Sequence, residues 1–181
     1  MLMRIRTPFP TFMTLPTPPQ LFPAPHDRQR TRVYKLDAMF WSPRLDDTRP
    51  YCEILTLHDW AEYCEMLFTD GLRTPYQDQI RRSRRTPRLL VEPLAYPGYA
   101  LAHLRTDYIQ VSPDLTRMWV ALHEVAHLLV PHCITAPHYW RWMSVYMQMI
   151  ERHAGRDLAR IFHACAIGHS IRFQPNHMAM V

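Results

Sequence analysis

The run His123-Glu124-Val125-Ala126-His127 places two imidazoles four residues apart, with a carboxylate directly after the first. On a helix this spacing leaves the two rings about 40° apart around the axis, close enough for both to hold one ion. Glu124 is turned about 100° from His123, beside such an ion but off the line of its ligands. A general base must stand there to take a proton from water activated by a metal. The chain holds 11 His and 6 Glu, so a chance match to this pattern has a probability of about two in a hundred. An ordinary helix with two unrelated histidines is therefore the weaker reading.

Two ligands do not complete a catalytic zinc site, which takes three from the protein and leaves one position open. A metzincin would carry Gly three residues after His127 and His six after it, but Val130 and Cys133 stand there. His132, His138 and Glu151 are the remaining candidates. His132 follows Pro131 immediately and has little freedom to fold back. Glu151 lies thirteen residues beyond His138, about 20 Å along a helix axis, so one placement of that helix can hardly serve both. His138 is favoured because it opens the next helix after a turn through Pro131 and Pro137. A tetrahedral oxyanion would also need a donor, for which Tyr139 and Tyr146 are candidates.

The elements that must position these groups are legible in the apolar spacing. Residues 26–41 predict a first helix with Val33, Leu36 and Phe40 on one side and Asp27 as N-cap. Residues 57–68 predict a second, with Trp60, Tyr63, Cys64, Met66 and Leu67 recurring and Gly71 as a stop. Three short apolar runs, 89–91, 99–104 and 108–111, read as a small antiparallel sheet whose last two strands form a hairpin. Ser112 and Pro113 then open the helix of the histidine motif, which Pro131 closes. That helix is expected to bury one side and present the metal to a cleft. Further helices are expected over 138–153, ending at Gly155, and over 157–166. The fold class is thus α+β, a small sheet packed on the motif helix with other helices around it.

Composition bounds the rest. Seven of 17 prolines fall in the first 26 residues, which read as a disordered, proline-rich arm; residues 27–173 form the folded domain and 174–181 a frayed tail. No run is long and apolar enough to span a membrane, so a soluble, cytoplasmic protein is expected. Four cysteines without CxxC spacing fit reduced thiols there. The net charge of +5 is carried by arginine, with Lys35 the single lysine. Arg81, Arg82, Arg84, Arg85 and Arg88 cluster in one loop that could meet nucleic acid, although a solvated loop is the commoner explanation. The segment DRQRTRVY could be a functional surface, but reads first as a capped helix with its arginines in water.

The segment HEVAHLLVPHCITAPHYWRWMSVY resembles the SprT-like zincins, in which a third histidine opens a helix after a short loop. Together with DRQRTRVY and a hairpin ending in IQVSP, it is similar to a family of metallohydrolases of inferred activity from actinobacteria and their phages. The resemblance covers about residues 27–170. It implies Zn2+ held by His123, His127 and His138, Glu124 as the catalytic acid-base, and Trp142 at the family's aromatic position. Tyr139 departs from it, since the family has glycine there. The expected activity is hydrolysis of an amide bond in a peptide or protein substrate. The alternative is a non-catalytic module that keeps the metal for structure and grips nucleic acid or a protein through the arginine loop.

Overall fold

The computed structural model describes residues 29–73, 89–103, 107–130 and 137–173. The proline-rich arm with Asp27, the arginine cluster, the 131–136 stretch with His132, and the 174–181 tail lie outside the described residues.

Helix α1 spans Arg30–Phe40 and buries Val33, Leu36, Asp37 and Phe40, the expected stripe with one acid inside it. A short helix, α2, follows at Arg49–Cys52. Helix α3 runs Leu57–Arg73, with the Thr56 hydroxyl accepting from Asp59 N at 3.1 Å and donating to the Asp59 carboxylate at 2.6 Å. This N-terminal cap explains its start. Gly71 does not stop it. The roughly 1 kcal/mol that a helical glycine costs is outweighed by the burial of Trp60, Cys64, Leu67 and Phe68 along the same helix.

The sheet corrects an expectation. Strands β1 (Leu90–Pro93), β2 (Ala100–His103) and β3 (Tyr108–Val111) lie in the order β1-β3-β2. The β2–β3 pair is antiparallel as expected, but β1 pairs with β3 in parallel, so the sheet is mixed rather than antiparallel. The reason is the linker between β1 and β2. Residues 94–99 can span about 20 Å, enough to cross two strand spacings of about 4.8 Å and leave room for β3 between them. Leu94 N donates to Val111 O at 2.8 Å, extending the β1 pairing past Pro93.

Ser112 opens a 3-10 turn, Pro113–Leu115, instead of the motif helix itself. Helix α4 starts only at Met118 and runs to Leu129, after Arg117 in extended conformation. Long-range bonds impose this break. Leu55 N donates to Thr116 O at 2.8 Å, the Thr116 hydroxyl to Leu55 O at 2.6 Å, and Trp60 Nε1 to Arg117 O at 2.8 Å. Every α4 residue from Val120 to Leu129 is buried, which makes it the central element. Expected to bury one side, it is covered all round, by α3, α5 and β2 among others.

Helices α5 (Trp140–His153) and α6 (Arg156–Gly168) pack as a pair. Gly155 between them has φ +102°, a conformation that favours glycine and fixes the turn. Among the described residues no helix is long and apolar enough to cross a membrane.

The break before α4 is expected to matter energetically. Thr116→Val keeps the shape of this buried residue but leaves Leu55 O without its hydroxyl donor, and should cost about 1 to 3 kcal/mol in urea denaturation. A change under about 0.3 kcal/mol would show that the bond does not hold the segment.

Candidate metal centre

Helix α4 delivers His123 and His127 on neighbouring turns, and His138 enters from the residues just before α5. All three imidazoles are 3 to 5% exposed. One ring nitrogen from each lies within 4.8 Å of the others. His123 Nε2 and His138 Nε2 approach to 3.2 Å. The edge of a tetrahedron around zinc, with bonds of about 2.05 Å, is about 3.3 Å, so this pair is already at ligand spacing. His127 Nδ1 is buried and has no hydrogen-bond partner among the described residues. Imidazole nitrogen donors converging this way suit zinc.

His138 is thereby the third imidazole of the cluster. Glu151 faces elsewhere, 3.5 Å from Arg156. His138 stands beside the cluster just before α5, while Glu151 is carried away along that helix.

Asp37 is the group that sequence reasoning missed. Its Oδ2 lies 2.9 Å from His123 Nδ1, and its Oδ1 accepts from the Tyr146 hydroxyl at 3.0 Å. Tyr146 in turn accepts from Trp41 Nε1 at 3.0 Å. A proton on Nδ1 directed at Asp37 leaves the Nε2 lone pair of His123 facing His138, as a metal ligand requires. The signal was present in the sequence: Asp37 stands one turn after Val33, beside Leu36 and before Phe40, an acid in an apolar stripe. Tyr146, one of two candidates for an oxyanion donor, is instead spent on Asp37. Burial pushes its hydroxyl pKa well up, with the Asp37 charge adding to the shift.

Glu124 is fixed from the sheet side. Its Oε2 accepts from Ala102 N of β2 at 2.9 Å. Burial raises its pKa, while the His123 charge and the Ala102 bond oppose that rise. Burial likewise disfavours a charged His123, but its hydrogen bond to Asp37 and the charge of Asp37 win, so its pKa is raised. His127, without such a partner, is held well below the usual range by burial and then by the neighbouring His138 and His123 charges.

Aromatic rings wall the cluster. Trp142 stacks on His127 at 4.8 Å and lies 4.7 to 4.8 Å from His123 and His138. Tyr34 of α1 stacks on His123 at 5.7 Å. Burial of its hydroxyl, followed by the Glu124 charge, pushes its pKa up to about 12. Gln29 Nε2 donates to His138 O at 2.9 Å. The opening segment, read first as a capped helix with its arginines in water, thus borders the site.

No protein-family model, curated protein or solved structure matches this chain.

Asp37→Ala would strand the buried His123 Nδ1 and the Tyr146 hydroxyl together. Denaturation in the presence of a chelator should show a loss of about 2 to 5 kcal/mol. A loss below about 1 kcal/mol would mean that the carboxylate does not organise the cluster.

Proposed function

We propose that the chain is a zinc-dependent metallohydrolase of the SprT-like zincin kind, a peptidase that cleaves an amide bond in a peptide or protein substrate. The observation that carries this reading is the convergence of His123, His127 and His138 beside a carboxylate, Glu124, that is held in place by a backbone amide. A metal kept only for structure needs no such acid.

Three histidines leave one coordination position for water or substrate. Zinc, when bound, supplies Lewis acidity that makes water a nucleophile near neutral pH and polarises a carbonyl. The chain's own residues do the rest. Asp37 keeps the His123 Nδ1 proton directed away from the site and so orients its Nε2. The Ala102 amide anchors Glu124 Oε2, leaving Oε1 to take a proton from the attacking water and pass it to the departing amine. Trp142, fully buried against the rings, excludes bulk water around them and strengthens these electrostatic effects.

Glu124→Gln removes the base without removing a ligand. The variant should keep metal content and melting temperature while its cleavage of a peptide library falls at least about 100-fold. Equal turnover by variant and wild type would refute the assigned role.

A further inference from the structure

Helix α1 brings more to the cluster than Asp37. Tyr34, one turn earlier, stacks on the His123 ring at 13° and meets His138 edge-on at 5.2 Å. The residue as a whole is 45% exposed while its hydroxyl is desolvated beside the covered imidazoles, so it stands at the border between cluster and solvent. Arg30 precedes it by four residues, with its guanidinium carbon 5.7 Å from the ring centre. Arginine has only donors, so toward this guanidinium the tyrosine oxygen can act only as acceptor and its own proton remains available.

We propose that Tyr34 donates a hydrogen bond to the oxyanion that forms on the substrate carbonyl, with Arg30 orienting its hydroxyl. The proposal rests on the hydrolase reading. When the oxygen of water bonds to the carbonyl carbon, the π pair of the C=O bond moves onto the carbonyl oxygen, and Tyr34 hydrogen-bonds that charge without giving up its proton. The carbonyl re-forms as the C–N bond breaks, and the amine leaves with the proton carried by Glu124. A phenol locked by stacking on a fixed imidazole is preorganised, so little reorientation is needed as the charge develops. Tyr146, with its hydroxyl held between Asp37 and Trp41, cannot serve in this way.

The test uses Tyr34→Phe, which keeps the stacked ring, in the full chain loaded with cobalt(II), whose visible absorption reports the metal centre directly. Inorganic phosphate serves as a tetrahedral oxyanion probe. Wild type and variant should take up cobalt with equal affinity, while phosphate binding, read from the shift of the cobalt band, should weaken about 10- to 100-fold in the variant. On a peptide substrate kcat should fall by a similar factor with KM little changed. Equal phosphate affinity in the two proteins, or no phosphate binding by cobalt-loaded wild type, would overturn the proposal. So would loss of cobalt from the variant, because the hydroxyl would then help to build the metal centre itself. Absence of a cobalt band in wild type would instead remove the hydrolase reading, and this proposal with it.

Discussion

The buried bond between Asp37 and His123 is the contact around which the molecule is organised. A carboxylate taken out of water costs several kcal/mol unless its oxygens find partners. Asp37 finds one on each oxygen, His123 of α4 and Tyr146 of α5, and Tyr146 is held in turn by Trp41 at the end of α1. Three helices are therefore locked to one another through a single side chain. Any rotation of α1 that freed Asp37 would leave three buried polar groups unmatched. The orientation of His123 is set by a long-range constraint rather than by its own helix.

That constraint determines what the rest of the site can be. Once the Nδ1 proton of His123 is directed toward α1, its Nε2 faces the space between α4 and the start of α5, where His138 also points. The sheet then acts from the other side, with β2 holding Glu124 through Ala102. Helices and sheet thus fix separate parts of the site, the imidazole cluster and the acid. Packing of Trp142 and Tyr34 against the rings lowers the local dielectric and makes each of these bonds stronger than it would be in water.

Much of this was legible in the sequence, because the motif is local. His123, Glu124 and His127 share one helical turn and its neighbour, and His138 is only eleven residues further along the chain, so short-range spacing was enough to nominate them together. Asp37 is 86 residues from His123, and only its intrusion into an apolar stripe hinted at burial. The break before α4 was hidden for the same reason. Ser112-Pro113 is a sound local helix start, but Leu55 and Trp60, distant in sequence, hold Thr116 and Arg117 extended. The parallel pairing of β1 depends on where a six-residue linker crosses the sheet, which alternation of apolar residues does not encode. Gly71 was misread as a stop because the burial of α3 outweighs its propensity.

The central claim is that three imidazoles on this scaffold bind one zinc ion and leave a position open. X-ray absorption at the zinc edge of purified, zinc-loaded protein tests it most directly. The expected result is one zinc per chain, with three imidazole nitrogens and one light non-imidazole atom at about 2.0 to 2.1 Å. A sulfur shell near 2.3 Å, a closed set of four protein ligands, or no stoichiometric zinc at all would contradict it.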